Sequence, residues 1–258
     1  MLTITYLLSK RQVKELVSGM YKSMHNNSED FGLSLVPDNK TEFSKKLRDN
    51  FHHFVNLQNI IKQHGGIRKF EQSYLIDGMT LDYCPKMYDK QSSLYNITKS
   101  KKRIFQVGIN TGHSLLIMLL ASKEAMFDVF DVIQYGYTLP CIAYLNEYFS
   151  NRIFFHMGYP KFTLPHFIEI TDKIYDLFLL SNVYIYPSYL DIILKCALSK
   201  TNWQSHIVID NYDYNEIKSI CDKYEELHLI TTFENISSDC LHRHKIFVHE
   251  LSLDSMYL

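Results

Sequence analysis

Apolar and polar positions alternate with two different periods along the chain. Over residues 10–24 the apolar side chains Val13, Leu16, Val17, Met20 and Tyr21 recur every three or four positions. Over residues 41–63 Phe43, Leu47, Phe51, Phe54, Val55, Ile60 and Ile61 do the same, until Gly65 and Gly66 interrupt them. That spacing lines one face of a helix, so both segments are predicted to be amphipathic helices. Residues 67–86 mix Gly78, Pro85 and several tyrosines without a period and are predicted to form a loop.

From about residue 86 the pattern changes to short apolar runs separated by longer helical ones. Strands are expected at 103–107, 127–131, 152–156, 174–180, 206–210, 227–233 and 245–251, with helices at 112–123, 138–150, 163–172, 187–198 and 214–223. Strand–helix alternation predicts an α/β fold with a mostly parallel sheet covered on both faces. Residues 234–243 are polar and turn-like, so the last two strands are expected to pair as an antiparallel hairpin at the C-terminal edge. Residues 1–85 then form an N-terminal helical extension, or lid, beside a domain at 86–258.

Composition narrows the class. With 258 residues, 46% hydrophobic and 21% charged, the chain can bury a full core. The longest apolar run, 115–121, is too short to span a bilayer, and the opening MLTITYLLSKR has its positive charge on the wrong side of a brief apolar patch. Neither a membrane segment nor a signal peptide is expected. Five widely spaced cysteines without a Cys-x-x-Cys pair fit reduced thiols in the cytoplasm.

Charge is uneven: 17 Lys and Arg face 10 Asp and Glu over residues 1–103, against 10 and 18 over 104–258. The run Lys99, Lys101, Lys102 and Arg103 reads as a solvated approach to a strand, and no nucleic-acid partner is expected. His206, His242 and His244 alternate with apolar positions and read as surface or packing histidines.

Chemistry concentrates after the first strand. The turn Gly108-Ile109-Asn110-Thr111-Gly112 lets the backbone approach a ligand at a helix N-terminus, where unpaired N–H groups favour electronegative atoms. Its spacing is not Gly-x-Gly-x-x-Gly, which argues against a dinucleotide. Asp131 ends the second strand 23 residues after Gly108, where a carboxylate can accept hydrogen bonds from ribose hydroxyls. Turn and acid together describe a nucleoside site.

The run KQSSLYNITKSKKRIFQVGINTGHSLLIMLLA resembles the opening of class I S-adenosylmethionine-dependent methyltransferases, particularly the small ones common in bacteria and large DNA viruses. The resemblance continues through FDVFDVIQYGYTLPCIAYLNEYFSNRIFFHMG, YDLFLL, HIVIDNYD and HRHKIFVHEL, about residues 86–258. It implies a Rossmann-like sheet of seven strands with S-adenosylmethionine across the ends of the first two. By position, Gln106, Gly108, Asn110, Thr111, Gly112, His113 and Ser114 would surround the methionine part, Asp131 would hold the ribose, and Tyr159 and Ser181 would complete the cofactor site.

Several family positions are replaced: an acid by Gln106, an adenine-contacting Asp by Tyr159, and an Ile-Asp-Gly-x-His run by Leu180-Ser181-Asn182-Val183-Tyr184. Asp210-Asn211 resembles a metal-binding pair, but two adjacent ligands fall short of the six that Mg²⁺ takes, so no divalent metal is expected. The catalytic candidates are Asp210, Asn211 and His113. The resemblance implies O- or N-methylation of a small-molecule or glycan-like acceptor; the alternative is a catalytically degenerate methyltransferase fold serving as a binding or structural protein. Two chains could pair as a homodimer through the edge hairpin or the helical extension, in the cytoplasm, or the host cytoplasm for a viral protein.

Overall fold

A computed structural model describes residues 30–38, 41–67, 73–149, 152–181, 187–235 and 239–250. The helix expected at 10–24 lies outside them.

The segment 41–63 forms two helices, α1 (Glu42–Asp49) and α2 (Phe51–Gln63), where one was expected. Thr41 caps α1, its Oγ1 accepting the Ser44 N–H at 3.1 Å. At Asn50 the backbone leaves helical geometry and the side chain donates to the Lys46 carbonyl at 2.9 Å, satisfying a group the break frees. Residues 73–84 form a loop, as the pattern predicted. Then comes α3 (Tyr88–Thr98), a helix that the periodicity did not announce. Its buried positions are Lys90, Gln91, Ser93, Leu94, Tyr95 and Thr98, four of them polar, so no apolar stripe marks it.

The remaining elements alternate: β1 (Arg103–Val107), α4 (His113–Ala121), β2 (Met126–Asp131), α5 (Thr138–Tyr148), β3 (Ile153–Met157), α6 (Pro160–Ile170), β4 (Tyr175–Leu180), α7 (Pro187–Ser199), β5 (Thr201–Ile209), α8 (Asn215–Glu226), β6 (Ile230–Asn235) and β7 (Lys245–His249). They form one seven-stranded sheet in the order β3-β2-β1-β4-β5-β7-β6. The pairs among β1 to β5 are parallel, and β7 runs antiparallel to both β5 and β6. The two C-terminal strands are therefore the antiparallel pair that the polar stretch before residue 244 predicted, although β7 is inserted between β5 and the edge strand β6. No described helix is long and apolar enough to cross a membrane.

Because side chains alternate across a strand, β1, β2, β4, β5 and β7 each feed two cores. Ile104, Phe127, Val129, Leu177, Leu179 and Val208 pack on one face with α1 to α5. Phe105, Val107, Phe130, Phe178, Leu180, Ile207 and Ile209 pack on the other with α6 to α8. Helix α4, HSLLIMLLA, is buried at every position from His113 to Leu120. A helix apolar on all sides needs cover on all sides. The sheet supplies one side, and Phe43, Leu47, Phe54, Leu57, Ile60 and Leu94 from α1, α2 and α3 join the same core.

Candidate functional site

The candidate residues meet along the carboxyl edge of the sheet, where backbone bonds carry the ladder one step past the strands. Gly108 N–H donates to the Phe130 carbonyl (2.8 Å), Gly158 to Asp131 (3.0 Å), Ser181 to Val107 (2.8 Å) and Asp210 to Leu180 (3.0 Å). These bonds put Gly108, Asp131, Gly158, Ser181 and Asp210 in one row.

The turn after β1 requires its glycines. Gly108 and Gly112 have φ of 80° and 81°, and a Cβ on Gly112 would stand 3.0 Å from Leu145 Cδ1. Asn110 also has positive φ (52°), a conformation that asparagine tolerates better than most residues. Tyr137 donates to its Oδ1 at 2.8 Å.

Asp131 holds this turn. Its Oδ2 accepts the N–H groups of Ile109 (2.7 Å) and Asn110 (3.2 Å), and Oδ1 accepts that of Ile133 (2.7 Å). Burial raises its carboxyl pKa above the ordinary value, although these amides favour the charged form. The acid expected at ribose is thus also the clamp of the glycine turn, a role sequence spacing does not reveal.

Among the described residues, two polar atoms beside the turn are buried without a partner. Gln106 is fully buried and its Nε2 donates to the Gly108 carbonyl (2.8 Å) and to Ser114 Oγ (2.9 Å), yet its Oε1 has no partner. On the neighbouring strand Ser181 Oγ has none either. Buried oxygens left in this way cost free energy unless something completes them. A zwitterionic ligand end carries the donors and acceptors to do so. Tyr159, at the N-terminus of α6, is 54% exposed and offers a ring face beside the end of β3.

His113 has both ring nitrogens engaged within the protein. It is fully buried, with Nε2 2.9 Å from Gln58 Oε1 and Nδ1 2.9 Å from Ser73 Oγ, and its ring centroid is 5.2 Å from that of Phe54. Gln58 Nε2 donates to the Leu81 carbonyl, so Oε1 is the acceptor and His113 carries its proton on Nε2. Ser73 then donates to Nδ1, and Thr111 lies 2.6 Å from the same Ser73 oxygen. Burial lowers the His113 pKa to about 3. In its neutral form His113 braces α2 against the glycine turn.

Asp210 and Asn211 follow β5, both buried. Asp210 is paired with Lys90 of α3, Nζ to Oδ1 2.5 Å, a partner that no sequence signal singled out. Among the described residues no three His, Cys, Asp or Glu side chains converge in a way that could hold a metal ion. Of the histidines read as packing, His244 is buried between Tyr74 OH (3.1 Å) and Ser93 Oγ (3.3 Å).

No family model and no curated protein matches the chain. Solved structures do match in fold. The O-methyltransferase TomG from Streptomyces achromogenes, involved in tomaymycin synthesis and bound to SAM, shares 12% identity over 78% of this chain and 90% of its own, with a TM-score of 0.56. The SAH-bound methyltransferase PaMTH1 of Podospora anserina shares 12% over 97% and 100%, with a TM-score of 0.56. The N-methyltransferase NodS from Bradyrhizobium japonicum WM9, bound to SAH, shares 13% over 74% and 98%, with a TM-score of 0.52. Strand order, the turn after β1 and these likenesses agree that the chain has the Rossmann-like fold of class I S-adenosylmethionine-dependent methyltransferases.

Proposed function

We propose that the chain is an S-adenosylmethionine-dependent methyltransferase acting on oxygen or nitrogen of a small-molecule or sugar acceptor. The observation that carries this reading is the pair of unpartnered buried oxygens, Gln106 Oε1 and Ser181 Oγ, beside a glycine turn whose fold relatives hold SAM or SAH. Gln106, Ser181 and Ser114 receive the amino-acid end of the cofactor. Gly108, Asn110, Thr111 and Gly112 bring backbone against it, Asp131 takes the ribose, and Tyr159 lies beside the adenine.

The cofactor, when bound, supplies an activated methyl group, so the protein chiefly orients an acceptor and excludes water. Asp210 and Asn211 stand on the acceptor side of the row. Five free cysteines, all buried, fit a reducing compartment, which we take to be the cytoplasm.

Calorimetric titration with S-adenosylhomocysteine tests the reading. Saturable binding with one site per chain is expected, and a flat titration at millimolar ligand would overturn it.

A further inference from the structure

Lys90 and Asp210 form an ion pair inside the protein, with side-chain exposures of 3% and 8%. Lys90 Nζ also donates to the His242 carbonyl at 2.7 Å and lies 4.2 Å from the centroid of the Tyr74 ring, so its ammonium is held on three sides. The Asn211 N–H donates to Asp210 at 2.9 Å. Both bonds fall on Oδ1. Oδ2 has no partner among the described residues.

The surrounding polar groups have partners of their own. Tyr74 and His244 bond each other, as do His244 and Ser93, and Ser93 donates to Glu234 at 3.2 Å. Asp210 is therefore the buried carboxylate of this cluster with an accepting oxygen to spare among the described residues, and it stands one strand beyond Ser181 in the row at the carboxyl edge.

Desolvating two charges costs about as much as their attraction returns, so such a pair contributes little net stability compared with apolar packing. What it does supply is a carboxylate fixed in orientation by an ammonium on one oxygen only. We propose that Lys90 is a positioning residue that presents Asp210 Oδ2 to the O–H or N–H of the methyl acceptor. This rests on the methyltransferase reading and deepens it: the acceptor binds through a hydrogen-bond donor at the atom to be methylated, and the counter-charge at the acceptor site is a lysine of α3.

The test needs no known acceptor. Sinefungin carries an amine-bearing carbon where the cofactor has its methyl-bearing sulfur, so its ammonium stands in for a donor beside Asp210. Dissociation constants for sinefungin and S-adenosylhomocysteine are measured on the full chain, on D210N, on K90R and on the double variant K90M/D210N, with thermal melts of each. In the unaltered protein sinefungin is expected to bind about tenfold more tightly, the size of one charge-assisted hydrogen bond. The preference should vanish in D210N and in the double variant, and survive in K90R. The double variant leaves no unpaired charge and so serves if D210N alone does not fold. Equal binding of the two ligands by the unaltered protein, or a preference that persists in a folded variant carrying D210N, overturns the proposal while leaving the methyltransferase reading intact. Failure of the unaltered protein to bind S-adenosylhomocysteine overturns both.

Discussion

Gln58 Oε1 lies 2.9 Å from His113 Nε2, and this one bond joins the middle of α2 to the first residue of the helix that leaves the glycine turn. The chain of hydrogen bonds extends from the Leu81 carbonyl through Gln58, His113 and Ser73 to Thr111 inside the turn. Every member is neutral when His113 is neutral. The glycine turn is thus buttressed from behind by a glutamine 55 positions before the histidine it holds.

Acid should weaken the fold through this strut. The His113 pKa is lowered to about 3 and that of His53 to about 4, both chiefly by burial, whereas an unfolded histidine titrates at about 6.5. Between those values the unfolded chain binds more protons than the folded one, so stability falls as pH falls from about 6.5 toward 3. Urea denaturation at a series of pH values should show this slope, and His113→Gln, which cannot titrate, should make it shallower while leaving the share that His53 contributes.

Replacing His113 by alanine removes a buried ring and strands Gln58 and Ser73. A loss of about 3 kcal/mol is expected, from the cavity and the orphaned partners together. Denaturant midpoints would measure it, and a loss below about 1 kcal/mol would mean the strut is slack.

The Lys90–Asp210 pair should behave as a coupled unit. Lys90→Met alone leaves a buried carboxylate without its counter-charge and should cost about 3–5 kcal/mol, while the double variant K90M/D210N should recover most of that. A double-mutant cycle by chemical denaturation gives the coupling energy, and additive single effects would contradict a buried pair.

Asp131→Ala should act on the turn and the ligand together. Losing a carboxylate that accepts three backbone N–H groups should weaken S-adenosylhomocysteine binding by about 1–3 kcal/mol and lower the melting temperature as well. An affinity loss with an unchanged melting temperature would show that the clamp contributes nothing to the fold.

Gly112→Ala should be costly for two separable reasons. It puts a side chain at φ 81° and a Cβ 3.0 Å from Leu145 Cδ1. We expect a loss of about 1–2 kcal/mol from the backbone conformation. Pairing it with Leu145→Ala relieves the contact but not the conformation, so calorimetric melts of both variants divide the two.

Sequence legibility followed the strength of each local pattern. The strands from 103 onward were visible because short apolar runs sit between turn residues, and the antiparallel C-terminal pair followed from the polar segment at 234–243. Helix α3 was invisible because its buried side is largely polar: Lys90 and Ser93 face inward to meet Asp210 and Glu234 far away in sequence, Gln91 bonds Tyr83 and Cys84 just before the helix, and Thr98 donates to the Leu94 carbonyl. The break at Asn50 was hidden by an apolar period that continues across it. Around the candidate site the glycine turn after β1 could be read directly, whereas the clamping of that turn by Asp131 could not. The bracing role of His113 was not legible, because it depends on Gln58 and Ser73, which carry no motif. Lys90 had no signal at all, since a lone lysine in a polar stretch ordinarily lies in water.

The enclosure of α4 bears on how this protein can be handled at the bench. A shortened chain starting at residue 86, where the sequence pattern changes, would lack α1 and α2, and with them Leu47, Phe54, Leu57 and Ile60, which share a core with α4. The uncovered apolar helix would then drive the fragment into aggregates rather than yield a minimal folded domain.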